Sequence, residues 1–150
     1  MLNAADEFST GTAEALQQAH DSAGEIRRDA TPLIDPGTNH FSPEAQRYLD
    51  AMNDAVGAVL AKRARVDLLF GAKSDAGLAA SGVVENLRSM GSALDRLPES
   101  VRDRDTFSEY GTHFQGAFTQ HGRFNDSARD ALTTWARRLG RRLWRQLPVA

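Results

Sequence analysis

The sequence predicts an all-α fold, a single-domain antiparallel bundle of about five helices. Three observations point to this class: apolar residues recur at helical spacing along most of the chain, no alternating β-branched run has strand length, and the connections are short. With 150 residues, 41% of them hydrophobic, the chain has the usual size of one domain with one core. The predicted helices span residues 13–29, 43–70, 75–97, 106–121 and 128–146.

The first helix follows a polar N-terminal segment. Ala13, Leu16 and Ala19 begin its apolar stripe, and Thr12 is the expected N-cap. Residues 1–11 are expected to be flexible. They contain no basic residue and no apolar stretch, so they do not resemble a secretory signal peptide. We therefore expect a cytoplasmic protein, with signal-less export as the alternative.

The second helix has the clearest start signal in the chain, Ser-Pro-Glu at 42–44. Serine caps the helix, proline suits its first position, and glutamate lies near the positive end of the helix dipole. The apolar stripe runs to Phe70, where Gly71 provides the stop. Glycine inside a helix costs about 1 kcal/mol relative to alanine. We therefore expect a packing reason for Gly57, such as a close helix contact.

The third helix is predicted to be the central one. Ser74 and Asp75 cap its start and Pro98 ends it. The run 77–84 carries no charge on any face, which indicates the most buried helical segment of the chain.

The fourth helix is recognised by an aromatic face, and the fifth by a new capping signal. The expected face consists of Phe107, Tyr110, Phe114, Phe118 and His121. Gly122 and Asn125 are expected to end this helix, and Asp126 or Ser127 to cap the fifth. The aromatic face is interpreted as core rather than as a ligand surface.

The net charge of −2 conceals an asymmetry. Residues 1–127 contain 12 basic and 19 acidic residues, a net charge of −7, whereas residues 128–150 contain six arginines and one aspartate, a net charge of +5. The segment 128–150 is predicted to form a basic amphipathic helix. Its candidate partner-binding residues are Trp135, Arg137, Arg138, Arg141, Arg142, Trp144 and Arg145.

Several interpretations of this basic helix stay open. Its apolar face can close the bundle while its arginines pair with the acidic body. It can instead dock on a protein partner, with self-association as one form of docking. Binding to nucleic acid or to an anionic membrane surface is a further alternative.

Metal binding and enzymatic chemistry have less support in the sequence. Glu109 and His113 are helical neighbours and His121 lies two turns further on, which makes these three weak metal-ligand candidates and a metal-dependent helical enzyme a third alternative. The absence of cysteine excludes thiol chemistry. No catalytic motif was found. The sequence therefore predicts a non-enzymatic interaction module without a cofactor, such as an adaptor, chaperone, immunity protein or exported effector.

Overall fold

A computed structural model describes residues 2–28, 43–95 and 104–144. These residues form four helices: α1 (Leu2–Arg28), α2 (Pro43–Phe70), α3 (Asp75–Asp95) and α4 (Arg104–Trp144). Within the described ranges, only residues 71–74 are not helical. The all-α class is confirmed, but the described chain has four helices rather than about five.

Neighbouring helices run antiparallel, because residue numbers rise along one helix as they fall along the next. The facing pairs are Glu7 with Arg65 and Gly11 with Lys62 (α1 and α2), Arg63 with Ser81 and Asn53 with Gly91 (α2 and α3), Gly82 with Gln120 and Asn86 with Gly116 (α3 and α4), and Ser9 with His121 and Ala19 with Tyr110 (α4 and α1). Each helix therefore packs beside the next in sequence, and α4 closes the bundle against α1.

One hydrophobic cluster joins all four helices, and α3 supplies the largest share of its described residues. The prediction of a buried central segment at 77–84 is correct in outline, since Ala80, Val83 and Val84 are buried. Leu78, in the same run, is 58% exposed instead.

The connection between α2 and α3 matches the sequence prediction. Gly71 has φ of 89°, the left-handed conformation that glycine accepts at the end of a helix. Ser74 caps α3, because its Oγ accepts a hydrogen bond from the Gly77 N–H at 3.1 Å. A Cβ at Gly77 would overlap the Gly71 carbonyl oxygen, so the tight turn needs glycine there. Helix α2 has the predicted bounds.

The predicted start of the first helix is wrong. Helix α1 begins at Leu2, so the segment expected to be flexible is helical from that residue onward. Thr12, the expected N-cap, is fully buried inside the helix. The reason is tertiary packing: Phe8 is fully buried, with its ring centroid 4.7 Å from that of Phe124 in α4.

The predicted break between a fourth and a fifth helix is also wrong, because α4 continues through Gly122 and Asn125. Its inward face follows alternating steps of three and four residues: Phe107, Tyr110, Phe114, Ala117, His121, Phe124 and Ala128. Phe118 was assigned to this face, but it is 59% exposed and Ala117 takes its place. Burial of Phe124 and Ala128 favours helix across the break signals more strongly than one exposed glycine opposes it.

The close helix contact expected at Gly57 is not present. Gly57 is exposed and a Cβ there would meet no atom within 4 Å, so no close helix contact explains it. Several predictions concern residues outside the described ranges. These are the N-cap at Ser42, the helix stop at Pro98, and the helix ends at residues 29, 97 and 146. No helix in the described ranges is both long enough and apolar enough to cross a membrane.

Candidate docking surface

Large apolar side chains are exposed together at one end of the bundle. Leu68 is 85% exposed, Leu2 is 63% exposed and Trp135 is 50% exposed. All three line one groove of about 660 Å³, together with Leu69 and Leu132. We call these five side chains, Leu2, Leu68, Leu69, Leu132 and Trp135, the end surface. Contiguous exposed apolar groups of this kind are typical of interaction sites.

A second groove, of about 480 Å³, lies on the other side of Trp135. It is lined by the last turn of α2, the first turn of α3 and α4, including Phe70, Ala76 and Arg138. Trp135 therefore lies between two grooves. A tryptophan in this position can anchor a partner, because it offers a large rigid surface at low entropic cost.

The end surface exists because α4 is longer than its neighbours. Helix α4 has 41 residues and α2 has 28, which makes α4 about 20 Å longer at about 1.5 Å per residue. The register that pairs Gly82 with Gln120 brings Asp75, the first residue of α3, level with Ser127. We call described residues 129–141 the α4 extension. It lies beyond the N-terminal end of α3, and all of its described side chains are exposed except the half-buried Leu132.

The apolar stripe of α4 does not stop where the bundle stops. After Phe124 and Ala128 it continues through Leu132, Trp135 and Leu139, with the same steps of three and four residues. This spacing lets one helix pack against another by inserting side chains between those of its neighbour. At Trp135 and Leu139 this side of the extension is only partly covered, since the two side chains are 50% and 37% exposed.

A small aromatic cluster supports this end of the bundle. Phe124 is fully buried between Phe8, at 4.7 Å, and Phe70, at 6.5 Å between ring centroids. These three rings hold together α1, α2 and α4, the helices that contribute the end surface. Their burial gives the exposed side chains a fixed framework.

The predicted partner-binding arginines surround the extension rather than forming one face. Arg137, Arg138 and Arg141 are all exposed. At about 100° per residue, Arg138 lies beside Trp135, whereas Arg137 and Arg141 lie opposite the apolar stripe. Arg129, which sequence reasoning did not single out, lies on the other flank of the stripe.

One alternative from the sequence was that the arginines pair with the acidic body. Among the described residues, neither the flanking arginines Arg129 and Arg138 nor the opposite pair, Arg137 and Arg141, forms an ion pair. The Nε of Arg141 instead donates to the carbonyl oxygen of Arg137, at 3.4 Å. The remaining candidates are not described: the Arg142 and Trp144 side chains and Arg145 lie outside the described atoms.

At the rim of the end surface, Arg65 is already paired. Its Nη1 donates to Glu7 Oε2 at 2.6 Å, which ties α2 to α1 beside Leu2 and Leu68. Both partners are exposed, so the pair contributes little to stability. Among the described residues that line the groove beside Leu68, none carries an unpaired charge.

The three weak metal-ligand candidates do not form one site in the structure. His113 Nε2 lies 3.9 Å from Glu109 Oε1, and His113 Nδ1 lies 3.4 Å from Asn86 Oδ1. His121 bonds instead to Ser9 of α1. Across the described ranges, no group of three or more acidic or histidine side chains could hold a metal ion.

His121 takes part in a polar contact between α1 and α4. Its Nε2 lies 2.9 Å from Ser9 Oγ and 3.3 Å from Asn125 Nδ2. An amide nitrogen donates, so Nε2 is the acceptor in the contact with Asn125. Burial lowers the pKa of His121, and a hydrogen bond with the backbone of Ser9 partly opposes this effect. Sequence reasoning missed Ser9 because it expected residues 1–11 to be flexible.

Sequence reasoning also missed Leu2 and Leu68, although both left a signal. Leu68 is an apolar residue off the buried stripe of α2, directly before Leu69. Two adjacent leucines at the end of an amphipathic helix cannot both face the core, so one of them must be exposed or meet a partner. Leu2 is likewise an apolar residue at the end of a helix, because α1 begins there.

Comparison with protein families, with curated protein sequences and with solved structures found no match. The residues of this chain alone must therefore support a functional proposal.

Proposed function

We propose that this protein is a non-enzymatic protein-interaction module whose docking site is the end surface together with the α4 extension. One observation carries the proposal: Leu2, Leu68 and Trp135, three large apolar side chains from three helices, are exposed around one groove. Covering apolar surface contributes roughly 25 cal/mol per Å². A protein partner that seats apolar side chains in this groove would gain that contribution.

The α4 extension supports the same proposal. Its apolar stripe continues the pattern that packs α4 into the bundle, and arginine and tryptophan, which it carries, are enriched at binding hot spots. Docking of this kind suits an adaptor, a chaperone, an immunity protein or an exported effector, and the proposal covers this whole class.

The experiment is affinity capture with matched variants. We expect the double variant Leu68→Ala, Trp135→Ala to lose the proteins that the wild type retains from lysate, because it removes two of the exposed apolar side chains that line the groove. The control is Leu78→Ala, Phe118→Ala, which removes two exposed apolar side chains, 58% and 59% exposed, elsewhere on the bundle. Mass spectrometry of the retained proteins, with circular dichroism to check folding, measures the outcome.

Specific retention by the wild type and the control, lost only in the end-surface variant, supports the proposal. The same retained proteins for all three baits, or none for any, would contradict it. Binding that the control variant loses instead would move the docking site to the faces of α3 and α4.

A further inference from the structure

We propose that the occupant of the docking site is an acidic amphipathic helix of a partner protein. This inference rests on the proposed function and names the chemistry of the partner. The apolar side of that helix lies along Leu68, Leu132 and Trp135, and its carboxylates lie against Arg129 and Arg138.

The periodicity of α4 argues for a helix. Inside the bundle, residues at steps of three and four place α4 against α3 and α1, as in the run from Tyr110 to Ala128. The stripe keeps these steps through Leu132, Trp135 and Leu139, where the ends of the neighbouring helices leave Trp135 50% exposed and Leu139 37% exposed. A surface with this spacing is complementary to the side chains of another helix. The partner helix would thus continue an interface that already exists in the fold.

Charge argues that this helix is acidic. The α4 extension carries four arginines, Arg129, Arg137, Arg138 and Arg141, against one aspartate, Asp130. No described residue forms an ion pair with any of the four. The apolar stripe lies between Arg129 and Arg138, as at coiled-coil seams, where flanking charges select the partner.

The same charge argues against other occupants. A second copy that paired its own extension here would bring arginine against arginine, a repulsive arrangement. Nucleic acid and anionic membranes present extended negative surfaces that reach beyond the four arginines to the body, where residues 1–127 carry a net charge of −7, whereas a single helix contacts only the docking site. Nucleic acid would also leave Leu2 and Leu68 exposed, because phosphate contacts do not cover apolar side chains.

The test uses three labelled peptides of about 21 residues with leucine at the two apolar heptad positions and glutamate, glutamine or lysine at the flanking positions. Fluorescence anisotropy measures the Kd of each peptide for the full chain. Two ion pairs should make the glutamate peptide bind about tenfold tighter than the glutamine peptide in about 50 mM salt, and this preference should shrink in about 500 mM salt.

Charge-reversal variants on the same helix provide the matched control. In Arg129→Glu, Arg138→Glu the two flanking charges are reversed, and this variant should prefer the lysine peptide. In Arg137→Glu, Arg141→Glu the same change is made opposite the stripe, and this variant should keep the preference for glutamate. All four side chains are exposed, and circular dichroism checks that both variants stay folded.

Equal affinity for the glutamate and glutamine peptides would overturn the inference that the partner helix is acidic. If that binding were lost in Leu68→Ala, Trp135→Ala, the proposed docking function would stand. Binding of no peptide at about 100 µM, well above the Kd expected of a specific site, would also overturn the inference. Tighter binding to duplex DNA or to phosphatidylserine vesicles than to the glutamate peptide would also overturn the inference. A dimer detected by light scattering, which the Leu68→Ala, Trp135→Ala variant converts to a monomer, would overturn it as well.

Discussion

Hydrogen bonds of individual side chains join α1 to α4. His121 sits between these helices, where its Nε2 lies 2.9 Å from Ser9 Oγ and 3.3 Å from Asn125 Nδ2. Tyr110 makes a comparable contact further back along α4, since its hydroxyl donates to the Ala19 carbonyl oxygen at 2.6 Å and burial raises its pKa. Both contacts join α1 to α4, and only the histidine changes its charge near neutral pH.

The structure predicts a pH-dependent stability through His121. Because its pKa is lower in the folded chain than the usual 6.5, the unfolded chain binds the proton more readily. The contribution of His121 to the free energy of unfolding is therefore complete above about pH 6.5, and it decreases as the pH falls from 6.5 toward the lowered value, because the unfolded chain takes up the proton first. Urea unfolding should give a smaller free energy of unfolding at pH 5.5 than at pH 7.5.

The control for this prediction is His121→Gln, which keeps a hydrogen-bond acceptor but cannot be protonated in this range. This variant should show a weaker dependence on pH between these two values. An unchanged slope in the variant would mean that other groups cause the dependence.

At the scale of the helices, glycine has different consequences at different positions. Gly57 and Gly122 lie in helices, and a Cβ at either would meet no atom within 4 Å. At Gly77, by contrast, a Cβ would overlap the backbone of the turn between α2 and α3. The same residue type is therefore replaceable in one helix and required in another, and only the neighbouring atoms distinguish the two cases.

Substitution by alanine should reveal this difference. Gly57→Ala should raise the free energy of unfolding by about 0.5–1 kcal/mol, because alanine loses less backbone entropy on entering a helix. Gly77→Ala should lower it, because backbone atoms of Gly71 and Ala72 must move. Urea unfolding of both variants measures the two changes. A destabilised Gly57→Ala chain would contradict the open surroundings of Gly57.

At the scale of the whole molecule, the bundle and the α4 extension differ in burial. The described buried core residues all precede Arg129. The residues beyond Ala128 carry the exposed tryptophan and the extension arginines, which form no ion pair with a described residue. The described buried core therefore lies within the bundle, and the extension lies outside it.

A chain that ends at Ala131 tests this division. We expect it to stay folded, with a free energy of unfolding within about 1 kcal/mol of the full chain, because surface segments away from core packing contribute little. Calorimetry and urea unfolding measure the change. The shortened chain should not bind the glutamate peptide, because Trp135 and Arg138 are gone. If truncation unfolds the bundle, the extension belongs to the core.

Local sequence chemistry was enough to predict the all-α class, the bounds of α2, the turn at Gly71 and the charge asymmetry of the C-terminal segment. These features depend on helical periodicity, a capping serine, a glycine with positive φ, and counts of charged residues. The sequence also identified Trp135 and Arg138 as candidates, because arginine and tryptophan beside an apolar stripe are visible in one helix alone.

Tertiary packing was needed to establish where α1 begins, that α4 is continuous and which apolar residues are exposed. Phe8 makes the N-terminal segment helical by packing on Phe124, a contact between residues far apart in sequence. The same burial carries α4 past Gly122. Leu2, Leu68 and Trp135 come from three helices, so no local pattern could bring them together. Local propensities amount to about 1 kcal/mol per residue or less, and burial of a large side chain outweighs them.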